Sequence, residues 1–463
     1  MIVKQIYTKC LSEASYFIAS NGEAAVIDPI RDLDQYIDLL EQHNAKLKYV
    51  VETHFHADFV SGHLDLSKKT GAPIIYGPSA KTDFEIINAK DGETFTIGKL
   101  KLKALHSPGH TPESTCYLLF DEKGKEYCIF TGDTLFVGDV GRPDLFGGKH
   151  TKEELAQQMY KSLNTIIKPL PNHVIVYPAH GAGSSCGKSL GNETFSTIGE
   201  QKQSNYALQD MSESEFVTAI CEGLQAPPKY FPINAKINKT GYTPIDSVVQ
   251  NSYTALTADD IKANKDATIL DVRKPEVFEL GFVTNSINIG LNGRFAEWAG
   301  KLISYDEPLI IVSNDKHDAK EAIVRLARVG FENVIGYLLG GFESWKKLEL
   351  PFDMIISIDA YEFSLDVKHE ANLKVVDVRT ENEFEAGHVL NANNLPLPRL
   401  ADEALALNDG NEQPIYVHCL SGYRSMIAAS ILKKQGFSVV KNIEGGWKSL
   451  IETEVTTVIP QPV

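Results

Sequence analysis

No apolar run in this 463-residue chain approaches the roughly 20 residues needed to cross a bilayer. Its first residues, Met1-Ile2-Val3-Lys4-Gln5, lack the apolar core of a secretory signal. Neither a membrane partner nor export is expected. Cysteine is sparse: Cys10, Cys116, Cys128, Cys186, Cys221 and Cys419 show no paired spacing, and a chain of this size needs no disulfide staples. A reducing cytoplasm is the expected setting. Basic residues are in deficit, 45 Lys and Arg against 61 Asp and Glu, for a net charge of −16. That balance argues against a nucleic-acid surface and against an anionic membrane. What is present, 43% hydrophobic and 23% charged residues, is ordinary globular composition in a length suited to about three domains.

The most informative stretch is Thr53-His54-Phe55-His56-Ala57-Asp58-Phe59. It closes the apolar run Leu47–Val51 and puts two imidazoles and a carboxylate at metal-ligand spacing at the end of a strand. The same event recurs three times. His110 follows Leu100–Leu105, Asp133 follows Tyr127–Phe130, and His180 follows Val174–Tyr177. Four strand ends delivering ligand side chains describe a metal site on a sheet edge.

Around these motifs, Asn21-Gly22 predicts a type I′ hairpin between Tyr16–Ser20 and Glu23–Asp28. Helices are predicted at Leu33–Gln42, near Asp58–Thr70 and at Lys152–Ile167, with strands predominating from Pro73 to Phe130. The segment Gln225–Asp246, rich in Pro, Asn and Lys, reads as an extended linker.

Beyond it lies an internal repeat. Leu270-Asp271-Val272-Arg273 recurs as Val376-Asp377-Val378-Arg379, and Gly281, Gly330-Phe331 and Gly340-Gly341 have counterparts in Gly387, Gly436-Phe437 and Gly445-Gly446. Alternating short strands and helices predict two small α/β domains with mainly parallel sheets. The copies differ where chemistry would sit. The second has His418-Cys419-Leu420-Ser421-Gly422-Tyr423-Arg424-Ser425 entering a helix, whereas the first has Asn314 in the place of Cys419 and lacks the Gly and Arg. Loop N–H groups and a helix N-terminus favour a thiolate at Cys419, and Arg424 adds a cation able to hold an oxyanion bidentately.

The second copy resembles the rhodanese family of sulfurtransferases, whose loop places an Arg after Cys and four residues. Asp377–Arg379, Gly387–Val389 and Gly445-Gly446-Trp447 carry the likeness further. The first copy is similar to a pseudo-rhodanese. Residues 1–240 resemble the metallo-β-lactamase superfamily with its His-x-His-x-Asp-His signature, with one departure: Phe59 stands where the final His belongs. Loss of that ligand favours a mononuclear over a dinuclear site. The fold implied is a metallo-β-lactamase αββα sandwich followed by two rhodanese-like α/β domains. Boundaries are expected at 1–245 including the linker, 253–352 and 357–459.

The order of domains resembles the persulfide dioxygenase–rhodanese fusions of bacteria. That resemblance implies one Fe(II) per chain on His54, His110 and Asp133, leaving positions for O₂ and a substrate sulfur. His56, Asp58 and His180 would orient ligands or move protons, or serve as alternative ligands. Arg142 is a candidate for the anionic end of a thiol carrier, and Cys186, six residues after His180, for a sulfur relay or a pocket wall. The implied activity oxidises a low-molecular-weight persulfide to sulfite and thiosulfate, coupled to sulfur transfer at Cys419, in sulfide detoxification. A homo-oligomer, dimer or tetramer, is expected. The alternative is a glyoxalase II-like thioester hydrolase with two zinc ions, fused to a sulfurtransferase; ligand types alone also admit zinc or manganese.

Overall fold

The computed structural model describes residues 1–145, 150–224, 226–370, 373–407 and 413–459. They fall into two compact units, Met1–Val248 with Leu326–Glu332, and Val249–Arg325 with Asn333–Val463.

The first unit holds two six-stranded sheets. One runs, in spatial order, Ile2–Thr8, Glu13–Ser20, Glu23–Ile27, Lys46–Val51, Ile74–Tyr76 and Ile87–Asn88. The other runs Ser196–Thr197, Ile175–Pro178, Glu126–Gly132, Thr115–Phe120, Leu100–His106 and Thr94–Ile97. Strand alternation explains the layering. Tyr117, Leu119 and Phe130 point to one side and pack with Tyr16, Ile18, Ile27 and Val51 between the sheets. Leu118 and Ile129 point to the other and pack on Ala156, Met159, Leu163 and Phe216. Each such large side chain contributes about 1.5–3 kcal/mol by leaving water. Together they form the expected αββα sandwich.

The Asn21-Gly22 hairpin forms as read, with Ser20 opposite Glu23 and positive φ of 50° and 79° at the two turn residues. The helix expected near Asp58–Thr70 begins only at His63, because the preceding loop is spent presenting ligand side chains. The expected extended linker is largely helical, at Phe231–Thr240 and Ile245–Ser252; Gln225, where it starts, lies outside the described residues. Pro232 sits in the first turn of the former helix, where its missing N–H costs nothing. The Pro and Asn content misled because Asn234 and Asn238 are buried.

The second unit holds two five-stranded parallel sheets with the same order. Ala255–Leu256, Val334–Leu338, Leu309–Val312, Thr268–Asp271 and Ile287–Asn288 form one, and Ile356–Ile358, Val440–Ile443, Ile415–His418, Lys374–Asp377 and Asn393–Asn394 the other. The repeated Asp-Val-Arg has a structural cause. Arg379 forks onto Asp377, donates to the Gly387 carbonyl at 2.7 Å and stacks on Trp447. Arg273 repeats this with Asp271, the Gly281 carbonyl and Phe342.

Candidate functional site

The end of strand Lys46–Val51 releases the chain into the loop carrying His54, His56 and Asp58. Asp28, at the end of the neighbouring strand, fixes that loop by accepting from the Thr53 N–H and hydroxyl, both at 2.8 Å. The Thr53 hydroxyl in turn takes the Nδ1 proton of His54 at 2.9 Å. His110 gives its Nδ1 proton to the Arg142 carbonyl at 2.8 Å, and His180 gives its own to the Ser12 carbonyl at 3.2 Å. Three imidazoles are thereby oriented through Nδ1, each turning its Nε2 toward the site.

Those nitrogens converge on Asp133. His110 Nε2 lies 3.4 Å and His54 Nε2 3.8 Å from Asp133 Oδ2, while His180 Nε2 lies 3.6 Å from Oδ1. Two clusters therefore share this carboxylate: His54, His110 and Asp133 on one side, Asp133, His180 and Cys186 on the other. His56, Asp58 and His180 form a further group, with Asp58 Oδ2 3.5 Å from His180 Nε2. All are buried.

Gly132 makes the approach possible. Its φ is +52°, and a Cβ there would meet the Thr53 hydroxyl at 2.6 Å, so no other residue could precede Asp133 so closely. Ser12 and Asp28 hold positive φ without being glycine, of 51° and 49°. Such conformations are uncommon and gather at functional sites.

Burial sets the electrostatics. It drives the His54 imidazolium pKa well below its usual value, helped by His56, His110 and His180. At His56 burial acts the same way, but Asp28, Glu52 and Asp58 outweigh it and bring the group up to about 10. His56 Nε2 lies 3.1 Å from Asp28 Oδ1 and 3.7 Å from Glu52 Oε2. Burial, reinforced by Asp58 and Asp133, pushes the Cys186 thiol well up.

The donor set fits a divalent metal. Both Asp133 oxygens and His180 Nε2 are buried without a hydrogen-bond partner among the described residues, an arrangement costing about 1–3 kcal/mol per atom unless a cation satisfies it. His54, His110 and Asp133 are the residues that would hold it. Phe59 is fully buried, its ring 4.4 Å from that of His56 between centroids.

The Arg142 guanidinium closes bidentately on Asp144, at 2.6 and 2.7 Å, and its carbonyl takes the His110 Nδ1 proton. Cys186 Sγ lies within 4.8 Å of ligand atoms of Asp133 and His180, and so borders the cluster.

Sequence reasoning missed Asn238. Its amide donates to the carbonyls of His56 and Phe59, each at 2.8 Å, and its oxygen accepts from Ser61 N–H at 2.9 Å. Nothing in the sequence signals this, since the residue lies in a helix about 180 positions away.

In the second unit Cys419 sits buried at the base of its loop and accepts from Gly422 N–H at 3.1 Å. The closing Gly445-Gly446-Trp447 turn removes the loop carbonyls from the sulfur: Trp447 N–H takes the Cys419 carbonyl at 2.7 Å and Lys448 N–H the Leu420 carbonyl at 3.2 Å. Gly446 must be glycine, with φ +56° and a Cβ position 2.4 Å from the Cys419 carbonyl oxygen. Arg424 does not stand free for an oxyanion. It donates twice to Glu383, each at 2.7 Å. Burial would raise the Glu383 carboxyl, but Arg424 and the Thr380 N–H bring it down to about 2.

The metallo-beta-lactamase superfamily pattern matches residues 8–180, and the rhodanese-like domain pattern matches 254–348 and again 362–453. A solved metallo-beta-lactamase from Staphylococcus aureus is 36% identical, covers 73% of this chain and 98% of its own, and superposes with a TM-score of 0.65. The chain belongs to the metallo-beta-lactamase superfamily. Its metallo-beta-lactamase fold is followed by two rhodanese-like domains. A probable hydroxyacylglutathione hydrolase of Schizosaccharomyces pombe is 33% identical over 162 residues, 34% of this chain and 59% of that protein. The chain therefore spans a little over half the length of this relative. ETHE1 from Myxococcus xanthus is 28% identical over 52% of this chain and 98% of its own, with a TM-score of 0.45.

Proposed function

We propose that the first unit is a mononuclear Fe(II) persulfide dioxygenase and that Cys419 is the sulfur carrier of a rhodanese acting on the same sulfur chemistry. The observation that carries this reading is Phe59. An apolar ring, packed on His56, occupies the motif position of a ligand to a second metal, while His54, His110 and Asp133 are grouped so that they could hold one ion.

Iron bound there would supply activation of dioxygen. The chain's residues do the rest. Thr53 and the Arg142 carbonyl orient His54 and His110 through Nδ1. Asp58 and His180, 3.5 Å apart, can hold and pass a proton. Phe59 excludes water from the wall it forms. In balance, one persulfide, one O₂ and one water give one thiol and one sulfite. Sulfite could then take a sulfane sulfur from Cys419 to give thiosulfate, and tethering the two centres raises their effective concentration.

A dinuclear thioester hydrolase is favoured by one observation of its own: Asp133 lies between two donor clusters, as a bridging carboxylate would. The hydroxyacylglutathione hydrolase relative points the same way. Metal analysis of anaerobically purified protein, with an oxygen-electrode trace on glutathione persulfide, separates the readings. About one iron per chain and rapid uptake support the dioxygenase; two zinc ions and thioester cleavage without uptake overturn it.

A further inference from the structure

The two rhodanese-like repeats enclose a cavity of about 570 Å³ beside the Cys419 loop. The loop contributes Ser421 and Gly422, and Gly422 is the residue whose N–H reaches Cys419 Sγ. The facing wall comes from the repeat that has no nucleophile: Lys274, Glu276 and Glu279. Glu444, from the strand end beside the loop, completes the rim. Three carboxylates thus face one ammonium group around the mouth of a sulfur-transfer loop.

This wall is held in place. Tyr423, next to Gly422, donates its hydroxyl to the Gly290 carbonyl at 2.8 Å. Its ring fills the space a side chain at Gly293 would need, with the Cβ position 2.3 Å from the ring. Arg325 fixes that segment by donating to the Leu291 carbonyl at 2.7 Å and the Gly293 carbonyl at 3.3 Å.

We infer that this cavity is the acceptor site for sulfur leaving Cys419, and that Glu276, Glu279 and Glu444 make it select low-molecular-weight thiols bearing an ammonium group over anionic ones. The inference rests on Cys419 being a sulfur carrier and concerns its choice among thiol acceptors; sulfite and thiosulfate, as anions, meet the same carboxylates and are expected to react faster as salt rises. The cysteine-less repeat, in this reading, supplies specificity to its neighbour. Burial and repulsion by Glu444 and Glu276 raise the Glu279 carboxyl, against a hydrogen bond from Ser357; a ligand cation would relieve that crowding. An incoming anion meets the opposite field.

The chemistry needs no outside oxidant. The Cys419 thiolate attacks the outer sulfur of thiosulfate, the S–S bond breaks, and sulfite leaves with the electron pair. An acceptor thiolate then attacks the sulfane sulfur, forming its own S–S bond, while the Cys419 thiolate departs with the pair. The sulfane atom stands about 2 Å beyond Sγ; Cys419 itself does not line the cavity, which meets its loop at Ser421, Gly422 and Tyr423.

The test uses the full chain. Cys419 is loaded with thiosulfate, the gain of one sulfur is read by mass spectrometry, and discharge is timed with cysteamine, 2-mercaptoethanol and 3-mercaptopropionate, each rate expressed per thiolate. At low salt cysteamine is expected to exceed 3-mercaptopropionate by about tenfold, the gap shrinking as salt screens it. The combined variant E276Q, E279Q and E444Q is expected to lose the preference, and Glu276→Lys to shift it toward 3-mercaptopropionate, with circular dichroism verifying the fold of each. Equal rates, a reversed order in the wild type, or a preference that survives the triple variant overturns the inference. If Cys419 never gains sulfur, the sulfur-carrier reading falls first and takes this one with it.

Discussion

Phe59 packs on His56 with ring centroids 4.4 Å apart and an interplanar angle of 36°, so carbon stands at the motif position of a second metal's ligand. Replacing Phe59 with His restores a nitrogen there. Metal content is expected to rise from one toward two ions per chain, and persulfide-dependent O₂ uptake to fall by about tenfold or more, at least about 1.4 kcal/mol in the barrier. Unchanged stoichiometry by elemental analysis counts against the single-ion proposal.

His110→Ala and Asp133→Ala each remove a proposed ligand. Iron occupancy and O₂ uptake are both expected to drop to background, because two remaining groups hold the ion weakly. Full uptake in either variant refutes the triad.

Cys419→Ser separates the centres. O₂ consumption is expected to remain substantially intact while thiosulfate:cyanide sulfurtransfer disappears. Thiocyanate formation by this variant would show that the sulfur is carried elsewhere.

Asn238→Ala leaves two carbonyls and one N–H of the ligand loop without their partner. A loss of about 2–4 kcal/mol is expected in the first unit, seen by calorimetry as a lower transition, together with weaker iron retention. Sulfurtransfer by Cys419 should be spared, since the residue belongs to the other unit.

Glu383 gives a pH prediction. Its folded carboxyl, near 2 against an ordinary 4.5, is depressed, so the pair with Arg424 stabilises fully above pH 4.5 and is lost as pH falls toward 2. The side chains are 31% and 18% exposed, and solvent screening brings the contribution to about 1–2 kcal/mol. Urea unfolding followed by tryptophan fluorescence reads this unit, because Trp298, Trp345 and Trp447 all lie in it. Glu383→Gln is expected to be less stable at pH 7 and to show a smaller loss between pH 5 and pH 3 than the wild type.

What could be read from the sequence was local. The ligand motifs declare themselves because each ends a strand, and strand ends are written in short apolar runs. The two repeats were legible because Asp-Val-Arg and the paired glycines answer fixed backbone needs. Side-chain pairing across long separations was not legible. Arg142 and Arg424 carry the right charge for anions, but the sequence does not say that Asp144 and Glu383 close on them. The Thr380–Glu383 spacing signals a capping box, which forms, and conceals the second use of the same carboxylate. Likewise Gln225–Asp246 looked like a tether because Asn and Pro favour loops, whereas a buried carboxamide with three partners favours a fixed helix.

The reach of Asn238 bears on where the metal-bearing part of the chain can be cut. A fragment ending at residue 180, where the superfamily pattern stops, would retain every proposed ligand and still forfeit the clasp that keeps their loop in shape. The smallest autonomous piece must therefore run past Thr240, through a stretch that invites trimming.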